Sequence, residues 1–254
     1  MFRCSAFFIF FLLSSHILYS NDFDHHHTLL TQLLKQYVDG GLVDYRSLKQ
    51  HPEQLNQYLA MLSEIDQKDF QNWSKHEQLA FLINLYNAQT LALIIEHYPV
   101  KGIKDIKKWF KGPWDIIYIK LFDQEVSLNE IEHKLIRAKF KDPRIHFALV
   151  CGAKGCPPLR SEAYTAFKLK DQLDDQGRIF LNDTTKNYVN DHENTIYLSP
   201  IFNWFKEDFL TISSSIIDFV KPFLFDLHSK ENKDYNIFSI EYTDYDWSLN
   251  IKDD

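Results

Sequence analysis

Glycine, proline, cysteine and positive charge are all scarce in this sequence of 254 residues, which has 7 Gly, 8 Pro and 3 Cys. So few Gly and Pro exclude a collagen-like chain and a chain of low-complexity linkers. The 28 basic residues are outnumbered by 35 acidic residues, so the formal net charge is −7. Non-specific binding to nucleic acid depends on cationic contacts with phosphates. We therefore expect no nucleic-acid partner.

Aromatic residues, in contrast, are abundant: the chain has 21 Phe, 13 Tyr and 5 Trp. It is 45% hydrophobic and 25% charged, with a mean hydropathy of −0.33. These fractions exclude a disordered chain and a polytopic membrane protein. No repeat or linker divides residues 21–254. We predict one helix-rich α+β domain there, with a small, mostly antiparallel sheet.

Residues 1–20 have the pattern of a signal peptide. Arg3 precedes an apolar run from Ala6 to Leu13, and small residues follow as far as Ser20. The run is too short to span a bilayer core of about 30 Å. We expect cleavage near Ser20 and no stable membrane insertion afterwards; an uncleaved anchor is the alternative. The mature chain would be periplasmic or secreted, where disulfides persist.

Hydrophobic periodicity and turn residues predict the order of secondary structure. The predicted helices cover 28–38, 52–65, 75–97, a segment from 127 onward, 168–181, 203–209 and 213–225. The predicted strands cover 115–120, 144–151 and 236–242, with a hairpin over 188–198.

The helix predicted at 75–97 is apolar around nearly all of its circumference, which is typical of a helix buried on most sides. Asn84 and Asn87 interrupt it three residues apart. A buried asparagine needs hydrogen-bond partners. We expect the two side chains either to hold neighbouring loops or to form the polar wall of a ligand cleft.

The helix predicted from residue 127 begins with a capping box formed by Ser127 and Glu130. Glu130 and His133 lie three residues apart, so they face the same way and could ligate one metal ion or form an acid/base pair. A solvated helix face explains the same pattern.

The segment 142–160, DPRIHFALVCGAKGCPPLR, carries the strongest functional signal. Alternation predicts a strand over 144–151 with His146 on one face. Gly152 and Gly155 follow in a turn that can expose backbone N–H groups.

Both cysteines of the mature chain, Cys151 and Cys156, lie in this turn. Cys156 precedes a proline, as a helix-capping residue would, and a helix dipole there would favour its thiolate. Lys154 and Arg160 are candidate ligand-binding residues beside it.

Five stretches together resemble the family catalogued as domain of unknown function 547. They are AFLINLYNAQT (80–90), SLNEIEH (127–133), DPRIHFALVCGAKGCPPLR (142–160), IFLND (179–183) and LSPIFNWFKEDF (198–209). The resemblance implies an exported bacterial form of a domain that plants fuse to coiled coils, and it brings no established reaction. It suggests kinship with papain-like and transglutaminase-like thiol enzymes. Those enzymes usually place Cys before His, whereas here His146 precedes both cysteines, an order known from permuted members.

The first functional hypothesis is a thiol enzyme that acts on acyl or amide bonds. Cys156 would be the nucleophile, and His146 or His133 the base. The amides of Gly152–Gly155 would stabilise the oxyanion.

The other two hypotheses assign no catalysis. In the second, a Cys151–Cys156 disulfide shapes a binding module whose cleft is lined by Asn84, Asn87 and His146. In the third, Glu130, His133 and His146 hold a metal ion. We assign no cofactor, and the expected partner is a small molecule, a peptide or a cell-wall ligand.

A basic, aromatic stretch stands out in this acidic chain. It contains Lys101, Lys104, Lys107, Lys108, Trp109, Phe110, Lys111 and Trp114. The stretch predicts either a site for an anionic lipid head group or cell-wall polymer, or an amphipathic helix with its aromatic residues in the core.

Overall fold

The computed structural model describes residues 23–108, 110–224 and 235–252. The predicted signal peptide lies outside the described residues. The described residues are 51% helical, with small, mostly antiparallel sheets. The α+β prediction is therefore confirmed.

The predicted helices are present, together with two short helices that were not predicted, Tyr45–Gln50 and Gln67–Asn72. They are α1 (Thr28–Tyr37), α2 (Tyr45–Gln50), α3 (Glu53–Ser63), α4 (Gln67–Asn72), α5 (Lys75–His97), a π-helix (Glu130–Arg137) continued by α6 (Ala138–Phe140), α7 (Leu169–Leu181), α8 (Ile201–Trp204), α9 (Lys206–Phe209) and α10 (Ile216–Leu224). Short 3₁₀ turns lie at Ile103–Asp105, Pro113–Asp115, Pro143–Phe147 and Tyr235–Ile237. The helix predicted at 203–209 is thus two short helices, α8 and α9.

The strands form three small sheets. They are β1 (Val38–Asp39), β2 (Leu42–Val43), β3 (Ile119–Leu121), β4 (Gln124–Val126), β5 (Tyr188–Asn190), β6 (Thr195–Leu198) and β7 (Ser239–Tyr242). The pairs β1–β2, β3–β4 and β5–β6 are antiparallel, whereas β7 joins β6 in parallel. The hairpin predicted at 188–198 and the last predicted strand are both confirmed.

Helix α5 is the centre of the larger of two hydrophobic clusters. It starts with a complete capping box between Ser74 and Glu77, which satisfies N–H groups of the first turn. The helix is long and apolar enough to cross a membrane, yet 94% of its most apolar window is buried inside the protein. Burial in a protein core explains its composition, as predicted.

The second cluster is aromatic and surrounds Phe147, with contributions from α7 and α10. Tyr245, near the C-terminus, packs against both clusters. The candidate site described below is lined by members of both.

The prediction of a strand at 144–151 is wrong. Residues Pro143–Phe147 form a 3₁₀ turn instead. The carboxylate of Asp142 accepts a hydrogen bond from the backbone N–H of Arg144 at 3.0 Å. An aspartate cap followed by a proline at the first position starts a helical turn.

The helix expected after Cys156 is absent, since α7 does not begin until Leu169. The segment from Pro157 instead runs past the turn between β1 and β2. A Cβ atom added to Gly41, whose φ is +86°, would overlap Pro158. Cys156 therefore does not lie at a helix N-terminus, and no helix dipole favours its thiolate.

The basic stretch is not an amphipathic helix either. Two 3₁₀ turns, Ile103–Asp105 and Pro113–Asp115, flank a tight turn. Phe110 is fully exposed rather than part of the core.

Candidate functional site

A cavity of about 220 Å³ lies where the two hydrophobic clusters meet. Its wall is mostly aromatic, and it also contains both cysteines, two histidines and one carboxyl group. It is lined by Tyr86, Trp114, Asn129, Glu132, His133, His146, Leu149, Cys151, Cys156, Ile201, Trp204, Phe205, Tyr245 and Trp247. An apolar pocket with a few convergent polar groups is the usual form of a ligand site.

The π-helix provides Glu132 and His133 to one side of this cavity. The Ser127–Glu130 capping box predicted at its start is present, with N–H to oxygen distances of 3.1 and 3.2 Å. π-helical turns are rare and frequently mark functional sites. Arg137, on the last turn, reaches the neighbouring helix α9.

Arg137 and His146 both bind the carboxylate of Asp208 on α9. Arg137 donates from Nε to Oδ2 at 2.6 Å and from Nη2 to Oδ1 at 3.0 Å. His146 Nε2 lies 2.7 Å from Oδ2 of the same carboxylate. The hydrogen bonds from His146 and Arg137 hold the pKa of Asp208 well below its usual range. Because the carboxylate is ionised and can only accept, Nε2 of His146 carries the proton.

Burial keeps His146 neutral. It is 4% exposed and stacks on Phe205 with ring centroids 4.0 Å apart. Desolvation lowers its pKa, although Asp208 acts in the opposite direction. Since Nε2 holds the proton, Nδ1 is the unprotonated nitrogen and can act as a base.

His133 is the same tautomer as His146, but its unprotonated nitrogen is already occupied. Its Nδ1 lies 2.7 Å from Nη1 of Arg137, and a guanidinium can only donate. Nδ1 therefore accepts, and Nε2 carries the proton. Partial burial and the Arg137 charge both lower the pKa of His133. His133 lines the cavity as a hydrogen-bond donor, so the prediction that it could serve as the base is not supported.

Glu132 is a buried carboxyl in the cavity wall, with 9% of its surface exposed. Burial raises its pKa to about 7, while the Arg137 charge and a hydrogen bond from Tyr86 oppose that shift. The raised pKa lies near neutral pH, so this group can both give and take a proton.

Cys151 and Cys156 are joined by a disulfide, with Cα atoms 6.4 Å apart. The hydroxyl of Tyr245 donates to Sγ of Cys156 at 3.1 Å. The backbone N–H of Cys151 donates to the same sulfur, also at 3.1 Å. Cys156 is thus the sulfur with two hydrogen-bond donors aimed at it.

The C-terminal segment holds this cysteine loop in place. The N–H groups of Lys154 and Gly155 donate to the carbonyls of Ser248 and Asp246, each at 2.8 Å. The N–H of Cys156 donates within the loop to a carbonyl at 3.1 Å. These amides are therefore occupied, and two of them, those of Lys154 and Gly155, belong to the four Gly152–Gly155 oxyanion donors predicted from the sequence. The same pairing brings Tyr245 and Trp247 to the cavity.

Asn84 and Asn87 do not line the cavity; they hold two loops against α5. Asn84 donates to the carbonyl of Tyr164 at 2.7 Å and accepts from its N–H at 2.9 Å. Asn87 donates to the carbonyl of Ala148 and accepts from the N–H of Val150, both at 2.9 Å. Each side chain therefore pairs with one carbonyl and one N–H group of a loop. This confirms the prediction that the two asparagines hold neighbouring loops.

The remaining predicted ligand-binding residues lie elsewhere. Glu130 binds Lys134 at 2.7 Å in addition to capping its helix. Lys154 is exposed outside the cavity wall. Arg160 pairs with Asp175 at 2.6 Å and lines a separate cavity of about 350 Å³.

The metal hypothesis gains no support from the geometry. Among residues 23–108, 110–224 and 235–252, no three His, Cys, Asp or Glu side chains cluster closely enough to hold a metal ion.

Sequence reasoning missed Glu132, Asp208 and Tyr245. Glu132 had a readable signal, because it lies in line with Leu128 and Ile136 on the buried side of its helix, where a carboxyl is out of place. Asp208 and Tyr245 gave no such signal, since they reach the site from 62 residues beyond His146 and 89 residues beyond Cys156.

Comparison with known proteins gives one match. Residues 70–181 match the family model described as "Protein of unknown function, DUF547". This range includes α5, the π-helix and the cysteine loop, but not Asp208 or Tyr245. No curated protein and no solved structure matches the chain. Residues 70–181 are therefore a region of this family of proteins of unknown function.

Proposed function

We propose that the protein is a thiol-dependent enzyme that transfers acyl groups from ester or amide substrates, with Cys156 as the nucleophile. One observation carries this proposal: Cys156 and His146, the latter oriented by Asp208, line the same cavity. A nucleophile, a base and a group that orients the base are the components that covalent acyl transfer requires.

The disulfide makes the activity conditional on reduction. An external dithiol would give two electrons and two protons to the bridge, leaving two thiols on the protein and a disulfide on the reductant. Cys156 is the favoured nucleophile because Tyr245 and the N–H of Cys151 both donate to its sulfur. Such donors would stabilise a thiolate once the bridge is reduced. These two hydrogen bonds, and not a helix dipole, are the reason to choose Cys156 as the nucleophile.

In the reduced protein, His146 and Glu132 would have different roles in proton transfer. Nδ1 of His146 takes the thiol proton as the sulfur attacks the carbonyl carbon and the C–S bond forms. The leaving amine or alcohol receives that proton as its bond to the carbonyl carbon breaks, and water then cleaves the thioester to a carboxylic acid and the thiol. Glu132, with its pKa raised to about 7, provides a second exchangeable proton in the cavity.

The test is acylation of the reduced protein by p-nitrophenyl acetate, with the modified residue mapped by proteolysis. We expect an acetyl group on Cys156, faster than on an unstructured cysteine peptide, and none before reduction. The His146→Ala variant should react about 100-fold more slowly, the lower range for a lost general base. The matched His133→Asn variant should keep most of the rate, because His133 cannot accept the thiol proton.

Two results would count against the proposal. Acetylation of Cys156 no faster than of the free peptide would refute the nucleophile. Equal slowing in the two histidine variants would refute His146 as the base.

A second function is favoured by the disulfide itself, since an oxidised sulfur cannot attack. In that state the cavity is a binding site, and its aromatic wall of Trp114, Trp204 and Trp247 suits a small molecule, a peptide or a cell-wall fragment. Titration of the oxidised protein with soluble peptidoglycan fragments should then give a saturable change in tryptophan emission. Loss of that change in Trp204→Ala, with retention in an exposed control such as Ile212→Ala, would support this function.

We propose that the protein works outside the cytoplasm, in the periplasm or beyond, where a disulfide between Cys151 and Cys156 would persist until a reductant opens it. Intact mass of the protein recovered from the periplasm tests this location. We expect the mass of a chain that begins near Asn21. Recovery of the full 254-residue mass from the membrane fraction would indicate an anchor instead.

A further inference from the structure

We propose that the exposed basic tip around Phe110 docks the protein onto an anionic lipid surface. This inference is independent of the thiol chemistry. Residues 100–114 contain five lysines and a single acidic residue, Asp105, so their net formal charge is +4 in a chain whose net charge is −7. The lysines are Lys101, Lys104, Lys107, Lys108 and Lys111, and all five are exposed.

A tight turn at the end of the tip exposes its lysines and Phe110 to solvent. Lys108 and Lys111 exchange two backbone hydrogen bonds, at 3.2 and 3.0 Å. Two reciprocal backbone bonds close a tight turn at the end of the loop. Phe110, within this turn, has a relative exposure of 102%. Its ring therefore makes no shielding contact with the described part of the chain.

The lysines are available for a partner. Among the described residues, none of the five forms an ion pair, whereas Lys120, Lys134 and Lys186 do. Lys104 alone has an aromatic contact, with Nζ 3.3 Å from the ring centroid of Trp247. That contact fixes the base of the tip beside the cavity, which Trp247 also lines.

A lipid surface fits this combination better than a soluble polyanion. A polyanion would use the lysines but would leave Phe110 in water. At a bilayer interface the lysines lie among the head groups while an aromatic side chain enters the acyl boundary. Exposure of a whole phenylalanine ring to water is unfavourable, and insertion removes that cost.

The experiment measures partition of the full chain onto vesicles of phosphatidylcholine alone and of phosphatidylcholine with 30% phosphatidylglycerol (about that fraction suffices to charge the surface). Any apolar contribution of residues 1–20 is common to both vesicles and to every variant, so the ratio of the two partition coefficients reports the electrostatic attraction, and the variants assign it to the tip. We expect the ratio to exceed about tenfold at low salt and to fall as salt screens the charges.

Two pairs of variants locate the effect. Because a lysine near an anionic surface contributes about fivefold, Lys107→Glu with Lys108→Glu should abolish the preference for anionic vesicles. The control, Lys139→Glu with Lys170→Glu, makes the same charge change at exposed lysines elsewhere and should lower it far less. Phe110→Ser should weaken partition on the order of tenfold, whereas Phe167→Ser, at a ring that is 91% exposed, should not.

Equal effects of the test and control variants, or equal partition onto both vesicles, would overturn the proposal. Salt-sensitive binding to soluble polyphosphate without partition onto vesicles would overturn it too and would assign the lysines to a polymer.

Discussion

Nε2 of His146 lies 2.7 Å from Oδ2 of Asp208, and this contact decides which nitrogen of the histidine can act as a base. Because Asp208 is ionised, Nε2 must carry the proton and Nδ1 must not. Arg137 holds both oxygens of the same carboxylate with two hydrogen bonds. The orientation of the base therefore depends on an arginine and an aspartate that the sequence keeps 71 residues apart.

We predict that Asp208→Asn slows alkylation of the reduced Cys156 thiol by iodoacetamide about tenfold or more at pH 6. The asparagine amide can donate to Nε2, which moves the imidazole proton to Nδ1 and removes the base. The rate is measured by mass spectrometry of the peptide that contains Cys156. Asp174→Asn is the control, since Asp174 is also bound by an arginine, Arg144, but lies outside the cavity wall. Equal rates in wild type and Asp208→Asn would show that His146 does not act on the thiol.

We predict that Asn87→Leu lowers the free energy of unfolding by about 1–3 kcal/mol. The substitution leaves the carbonyl of Ala148 and the N–H of Val150 buried without their partner. Urea unfolding followed by circular dichroism measures the change. Asn56→Leu, at an exposed position of α3, should change the same quantity by less than about 0.5 kcal/mol. A neutral Asn87→Leu would mean that water or neighbouring groups satisfy the two loops.

The longer helices could be predicted from the sequence because each carries its own signal, whereas the six-residue helices α2 and α4 were missed. Helix α5 begins and ends at the predicted residues, 75 and 97, since a capping serine and an unbroken apolar surface define it locally. The π-helix also begins at its predicted capping box. What fails is the inference of a strand from alternation at Ile145 and Phe147. These residues alternate because they face two different cores, Ile145 the larger cluster and Phe147 the aromatic one.

The candidate site was only partly predictable for a related reason. His146, His133 and the two cysteines do line one cavity, and they could be chosen because their side chains are reactive wherever they lie. Their partners, Asp208 and Tyr245, could not be predicted. They join the site only through tertiary contacts, across 62 residues to His146 and 89 residues to Cys156. Two of the four amides predicted as oxyanion donors, those of Lys154 and Gly155, are occupied by carbonyls of Ser248 and Asp246. The sequence alone does not show that this distant segment pairs with the loop.

We predict that Glu132→Gln stabilises the protein at pH 8 relative to wild type and has a much smaller effect at pH 5. The pKa of Glu132 is raised from 4.5 to about 7 in the folded protein, so the folded state holds the proton more tightly than the unfolded state. Wild type therefore loses stability as pH rises from about 4.5 to 7, by up to about 3 kcal/mol, and stays at the lower value above that range. Glutamine remains uncharged throughout and removes this loss.

Chemical denaturation at several pH values measures the Glu132 effect. Glu130→Gln is a matched control on the same helix, with the opposite sign. Interactions with Lys134 and Ser127 lower the pKa of Glu130, so its charged form is the stabilising one. This variant should therefore be the less stable protein at pH 8. A Glu132→Gln profile parallel to wild type would contradict the assignment of a buried, easily protonated carboxyl.

We predict that His27 makes the protein lose stability in mild acid. His27 is 2% exposed, and its Nδ1 lies 2.7 Å from the hydroxyl of Tyr58. Burial lowers its pKa from 6.5 to about 3, so the unfolded state binds the proton more readily than the folded state. The contribution of His27 to the free energy of unfolding is fully present above about pH 6.5 and falls by up to about 1.4 kcal/mol per pH unit as pH drops towards 3.

His27→Gln should show a shallower loss of unfolding free energy between pH 7 and pH 4 than wild type, while His26→Gln, at an exposed neighbour, should follow wild type. If all three proteins lose stability with the same slope, the acid sensitivity arises from other groups and the packing of His27 against Tyr58 plays no part in it.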